Sequence, residues 1–142
     1  MSESPATIRV LFLCTHNSAR SQMAEVLLRH LGGERFDVES AGSEASHIHP
    51  FAVAAMEEVG IDISGARSKH LNEFIHQDFD YVITVCDAAN ESCPIFPGDP
   101  QRIHWSFPDP SAVEGSDAHR QQAFSKIRNE ITFRLRTWIQ LF

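Results

Sequence analysis

The stretch Arg9–Leu28, "RVLFLCTHNSARSQMAEVLL", decides how the chain is read. The run Ile8–Leu13, apolar but for Arg9, ends at Cys14; five small or polar residues follow, and Arg20 and Ser21 lead into a helical pattern. A continuous apolar run of this kind marks a strand buried in a parallel sheet. Met23, Val26, Leu27 and Leu31 keep the spacing of one helix face, which predicts a helix opening at Asn17 or Ser18 and stopped by Gly32-Gly33. A thiol at the exit of a strand, just ahead of an arginine and a helix, raises the question of what it attacks.

Outward from this segment, Phe36–Ser40 reads as a second strand closed by Ala41-Gly42. Pro50 suits the first turn of a helix running to about Val59, with Gly60 at its end. A short helix is expected over Leu71–His76, and Tyr81–Val85 is a strand that runs straight into Cys86. Pro94, Pro97 and Pro100 make Cys93–Gln101 a loop; Ile103–Phe107 is expected as the fourth strand, broken by Pro108-Asp109-Pro110. From about Asp117, Phe124, Ile127, Ile131, Leu135 and Trp138 form one helical stripe that packs into the core. This order implies an α/β three-layer sandwich, a four-stranded parallel sheet flanked by helices and joined by right-handed crossovers. Residues 1–142 are expected to form a single domain, with 1–6 a flexible tail.

A chain of 142 residues can bury a core without disulfides or metal. Its apolar share of 42% is that of an ordinary globular protein, and no window reaches the length of a membrane span. Glu3 and Pro5 disfavour a signal peptide, so the expected compartment is the cytoplasm, where thiols stay reduced. A net charge of −7 argues against nucleic acid or an anionic membrane as partner, so any anion site must work by its local field. Because the apolar stripes are accounted for by one core, a monomer is expected. The three cysteines, an odd number, suit thiols that change partners better than a disulfide framework.

In parallel sheets ligands bind beyond the carboxyl ends of the strands. Cys14, Cys86 and Asp109 each follow the end of an expected strand, which brings them to one rim. Between strand and helix, Thr15, His16, Asn17, Ser18, Ala19, Arg20 and Ser21 can wrap backbone N–H groups around a tetrahedral oxyanion. Arg20 adds a fork of donors for two oxygens at once, and the same field favours the thiolate of Cys14 as nucleophile. Ser18 and Ser21 can donate to the sulfur, and Asn17 can hold the loop through its side chain. The plain alternative is an inert buried cysteine beside an unrelated arginine; the flanking strand, the helix and Ser21 weigh against it. Asp109 belongs to an Asp-Pro pair of the kind that usually starts a turn, yet with Trp105 and Phe107 nearby to exclude water it can serve as a general acid.

Cys86 and Cys93 change the question. If the strand ending at Cys86 lies beside the first, the two sulfurs stand one strand spacing apart, roughly 5 Å, within disulfide reach. A helix over Cys86–Cys93 would separate them by about 10.5 Å, so a bond between them requires the polar segment "CDAANESC" to loop out. Two other readings stay open: two small buried residues, or a zinc site with His104, for which the spacing is wider than a zinc knuckle's. The eight histidines contain no His-Glu-x-x-His pair.

"LFLCTHNSARSQMAE", "SAG" at Ser40–Gly42, "VCDAANESCPIFP" and "HWSFPDP" together resemble the thioredoxin-coupled arsenate reductases, which share the low-molecular-weight tyrosine phosphatase fold. The resemblance runs from Ile8 into the last helix. It implies that Cys14 attacks arsenate held by Arg20 and the loop amides, with Asp109 as general acid. It implies further that Cys86 attacks the arsenylated Cys14, releasing arsenite and leaving a Cys14–Cys86 disulfide. Cys93 then attacks Cys86, and thioredoxin reduces the resulting Cys86–Cys93 disulfide. No bound cofactor or required metal is implied, since the electrons come from thioredoxin. Some members bind potassium through residues matching Asn17, Glu25 and Ser40, with an acidic residue near the position of Lys69. Here the Lys69 ammonium is expected to occupy that cation site, leaving little activation by potassium. Phosphatases of the same fold typically carry tyrosines just after the Asp-Pro pair; "DPSAVEG" has none, and Tyr81 is the only tyrosine. That favours a small inorganic anion, with weak phosphatase activity as a side reaction. The alternatives are a low-molecular-weight tyrosine phosphatase and a non-catalytic redox-sensing oxyanion-binding protein.

Overall fold

In the computed structural model, which describes residues 7–142, the run before the first cysteine is strand β1 (Ile8–Cys14). It lies inside an all-parallel sheet with β2 (Phe36–Gly42), β3 (Tyr81–Thr84) and β4 (Gln101–His104), in the order β2-β1-β3-β4. A strand with neighbours on both edges and layers on both faces needs apolar residues at successive positions. Val10 and Phe12 accordingly enter one buried cluster, and Leu11 and Leu13 the other.

Three helices supply the larger cluster: α1 (Arg20–Gly32), α2 (Pro50–Glu57) and α3 (Asp117–Trp138). Met23 and Leu28 of α1, Ala55 and Met56 of α2, and Phe124, Ile131 and Leu135 of α3 are completely buried there. The stripe read from the sequence is therefore core, each large side chain contributing about 1.5–3 kcal/mol of burial. The opposite face is thinner. It is covered by Phe74, Phe79 and Phe96, whose rings meet edge to face at 6.1 and 5.8 Å.

Beyond shifts of one or two residues at the ends of β2, α2 and β3, three expected boundaries move further, each for a local reason. The helix opens at Arg20, later than Asn17 or Ser18, because residues 15–19 are needed to turn around Cys14 and Asn17 takes a left-handed φ of 52°. The helix expected over Leu71–His76 shrinks to a single 3₁₀ turn, Leu71–Glu73. β4 spans Gln101–His104 where Ile103–Phe107 was expected. Its partner β3 ends at Thr84, and after the Trp105 N–H bonds the Thr84 carbonyl there is no ladder left for Phe107 to join. Trp105 and Phe107 are instead buried side chains of an extended segment. Among the described residues no helix is long and apolar enough to cross a membrane; the tail expected over residues 1–6 lies outside them.

Candidate active site

β1 pairs with β2 up to Cys14–Gly42, and with β3 up to Leu13–Thr84. The Val85 N–H then donates to the Leu13 carbonyl at 2.9 Å, so pairing runs to the residue before Cys86. Sheet register thus delivers Cys14 and Cys86 to the same rim, as the spacing of the two runs implies. Cys14 is a free, buried thiol at 3% exposure.

The loop after Cys14 folds back on its sulfur. The Asn17 N–H points at Cys14 Sγ from 3.2 Å, and Ser21 Oγ stands 2.7 Å from it. Among the described residues, the N–H groups of Thr15, His16, Ser18 and Ala19 meet no protein acceptor, which leaves them free for an anion. Ser18 does not reach the sulfur; its carbonyl accepts the His49 N–H at 2.9 Å and so shapes the loop. His49 itself caps α2 by accepting the Phe51 N–H on Nδ1. Burial, reinforced by the charges of Arg120 and His47, holds it below the ordinary histidine range and keeps that nitrogen an acceptor. The exposed His16 ring lies 3.6 Å from Glu44.

Asn17 is the hub. Its Nδ2 donates to Ser21 Oγ at 2.8 Å and to Ser40 Oγ at 2.9 Å. Its Oδ1 accepts from Gln22 Nε2 at 2.7 Å and from the Lys69 N–H at 2.8 Å. Behind it, Ser40 donates to Glu25 at 2.6 Å, and Lys69 Nζ lies 3.0 Å from Glu25 and 3.4 Å from Glu39. Gly42 explains the "SAG" end of β2: a Cβ there would sit 2.4 Å from the Thr15 carbonyl oxygen. Among the described residues no group of three or more His, Cys, Asp or Glu side chains is placed to hold a metal. His104 Nδ1 bonds Thr84 Oγ1 at 2.6 Å.

Cys86 and Cys93 form a disulfide, with Cα atoms 6.0 Å apart. The segment between them is a non-helical turn built on Asp87, whose carbonyl accepts the N–H groups of Asn90 and Glu91 at 3.0 and 2.8 Å. This turn carries a site feature the sequence did not flag. Glu91 reaches Arg20 through two bonds, Nη1 to Oε1 at 2.5 Å and Nη2 to Oε2 at 2.8 Å. Arg20 also donates to the Phe107 carbonyl at 3.0 Å, and Asp109 Oδ2 stands 4.0 Å away. Burial by itself would lower the Arg20 pKa. The Glu91 hydrogen bonds and the charges of Cys14 and Asp109 outweigh it and hold the guanidinium above its ordinary range. The same bonds hold Glu91 below the usual carboxylate range, against the opposing effect of burial. Asp109 is half-exposed at the rim and accepts from the Ser111 N–H and hydroxyl at 2.9 and 2.7 Å. Gln22, wholly buried, is a second residue that pattern reading passed over, because in a helix it looks like an ordinary polar position.

The model of the low molecular weight phosphotyrosine protein phosphatase family matches residues 9–141. An arsenate reductase of Halalkalibacterium halodurans is 43% identical over 131 residues, 92% of this chain and 94% of the relative. Among solved structures, an arsenate reductase in the phosphate-binding state superposes with a TM-score of 0.75 at 35% identity, covering 94% of this chain and 98% of that one. The thioredoxin-dependent arsenate reductase of Corynebacterium glutamicum gives a TM-score of 0.69 at 35% identity, covering 97% of this chain and 63% of that one.

Proposed function

The chain belongs to the low molecular weight phosphotyrosine protein phosphatase family, and from that premise we propose that it is a thioredoxin-coupled arsenate reductase of the cytoplasm, active as a monomer. The observation that carries this reading is a disulfide between Cys86 and Cys93 beside a free Cys14 that heads an oxyanion loop. A phosphatase needs one thiol; three thiols on one rim supply and export two electrons.

Arsenate binds between Arg20 and the N–H groups of residues 15–21. The Cys14 thiolate attacks arsenic, and Asp109 protonates the departing oxygen, which leaves as water. Cys86 attacks Cys14 Sγ: an S–S bond forms, the As–S bond breaks, and its electron pair stays on arsenic, giving arsenite. Cys93 then attacks Cys86 Sγ and expels the Cys14 thiolate. Thioredoxin passes two electrons to the Cys86–Cys93 disulfide and is itself oxidised. No resident cofactor takes part, and the Lys69 ammonium beside Glu25 and Glu39 stands in for a cation.

The tyrosine phosphatase reading is weaker. Tyr81 packs edge-on against Trp138 at 5.2 Å, away from the loop, and the segment after Asp109 is the 3₁₀ turn Pro110–Ala112. Weak hydrolysis of small aryl phosphates by Cys14 remains part of the proposal. The deciding assay couples arsenate to thioredoxin, thioredoxin reductase and NADPH, comparing wild type with Cys14→Ser, Cys86→Ser and Cys93→Ser. Each variant loses turnover on this reading. Normal turnover of Cys93→Ser would sink the relay, and aryl phosphate hydrolysis without NADPH oxidation would make the chain a phosphatase. Oxidation of the cysteines without turnover of either substrate would make it a redox sensor.

A further inference from the structure

The Arg20 guanidinium is the strongest anion ligand at the rim, and in the disulfide-closed chain it is already taken. Its side chain is only 6% exposed, and both terminal nitrogens serve the two carboxylate oxygens of Glu91. Thr15 Oγ1 lies 3.4 Å from the same carboxylate. This two-oxygen fork is the geometry a tetrahedral oxyanion requires of an arginine. Glu91 and a bound oxyanion therefore compete for one set of donors, and in a buried site their like charges also repel.

Glu91 sits in the turn that the disulfide closes. Cys86 and Cys93 pin both ends of the turn, and within it the Asp87 N–H donates to Glu91 Oε1 at 3.0 Å while the Glu91 N–H donates to the Asp87 carbonyl at 2.8 Å. The Asp87 carboxylate ties Ala89 and Asn90 as well, at 3.2 and 2.8 Å. Opening the bond frees a polar segment with no bulky side chain, and the effective concentration of Glu91 at Arg20 falls with it.

We propose that Glu91 is a built-in oxyanion mimic that closes the Arg20 site while Cys86 and Cys93 are bonded and releases it when a dithiol opens them. This rests on residues 14–21 being an oxyanion site. The oxidised chain then rejects phosphate and arsenate until it is reduced. Linkage makes the effect reciprocal: the factor by which the disulfide weakens anion binding is the factor by which a bound anion favours reduction. In that reduction two electrons and two protons pass from the dithiol to the two sulfurs, and the dithiol closes to its own disulfide.

The test uses inorganic phosphate, which Cys14 cannot reduce, titrated calorimetrically into the full chain in its reduced and disulfide-closed forms. Wild type is expected to bind phosphate about tenfold or more weakly when closed. Saturating phosphate should then displace the equilibrium with dithiothreitol toward the thiols by the same factor, about 30 mV for a tenfold ratio. Glu91→Gln and Glu91→Ala should both bring the ratio of affinities close to one by restoring binding to the closed form. Equal affinity of the two wild-type forms, or a closed form still weak in both variants, overturns the role of Glu91 alone. Failure of reduced wild type to bind phosphate overturns the oxyanion site, and this proposal with it.

Discussion

Ser21 Oγ lies 2.7 Å from Cys14 Sγ, and the same oxygen accepts an N–H of Asn17 at 2.8 Å. A hydroxyl has one proton and two lone pairs, so with Asn17 on one lone pair the Ser21 proton is available to the sulfur, and it is the donor whenever Cys14 is a thiolate. The polarity runs back through the buried network: Asn17 donates to Ser40, and Ser40 to Glu25. Asn17 thus orients Ser21 beside the sulfur, where its hydroxyl can donate to a Cys14 thiolate. Ser21→Ala should lower kcat for arsenate about 10- to 100-fold, the worth of one hydrogen bond to a charged group, with KM little changed. Steady-state kinetics decides; an unaltered kcat would mean that Ser21 only packs the loop.

Gly42→Ala tests how closely β2 supports the anion loop. Its added Cβ meets the Thr15 carbonyl at 2.4 Å, and backbone cannot swing aside as a side chain can. The cost should be about 1–3 kcal/mol in urea unfolding. Because the displaced residue belongs to the loop, phosphate binding to the reduced form should weaken as well. Wild-type affinity in a destabilised variant would uncouple β2 from the site.

Lys69 places its ammonium 3.0 Å from Glu25 and 3.4 Å from Glu39, the position proposed above for a stand-in cation. Wild type should show the same KM for arsenate in potassium and in tetramethylammonium at equal ionic strength. Lys69→Met leaves the buried Glu25 with only Arg29 and Ser40 and should lose about 1–3 kcal/mol, less than the full penalty of a broken buried pair. Potassium should lower KM in this variant severalfold. A sharp potassium response in wild type would show that the ammonium does not occupy the cation position.

The closed form also has a pH signature. Arg20 depresses the Glu91 pKa, so the carboxylate contact is complete above the ordinary glutamate range and is lost as pH falls through the lower, shifted value. Asp109, Asp87 and Cys14 face the same site, but all remain in Glu91→Gln. Sulfate, fully ionised over this range, should bind disulfide-closed wild type more tightly as the solution is acidified below the glutamate range, and Glu91→Gln should lack that gain. Parallel titration curves for the two proteins would remove Glu91 as the titrating group.

Much of this site was legible because its residues sit next to one another in the chain. Cys14, Asn17, Arg20 and Ser21 fall on one strand–loop–helix passage, and a continuous apolar run followed by helical spacing reveals such a passage without any tertiary knowledge. Cys86 was legible for the same reason, standing at the end of "YVITV". The helix start was misplaced because Asn17 and Ser18 are good helix openers, whereas here Asn17 spends its side chain on Ser21, Ser40, Gln22 and Lys69. β4 was shifted because Trp105 and Phe107 have strand-like chemistry, which cannot reveal that β3 stops at Thr84.

Glu91 marks the boundary between the two kinds of knowledge. In sequence it is one acid in a polar turn, 71 residues from Arg20, and composition assigns it to solvent. Only the parallel pairing of β1 with β3, followed by closure of the turn at Cys86 and Cys93, carries its carboxylate onto the guanidinium. The sequence by itself determined that Cys14 stands between a strand and a helix with Arg20 six residues on, and that Cys86 ends a second strand, because local spacing dictates strand, turn and helix. Which carboxylate meets the Arg20 guanidinium in the closed chain was decided by tertiary structure, because long-range pairing alone sets which rim residues meet.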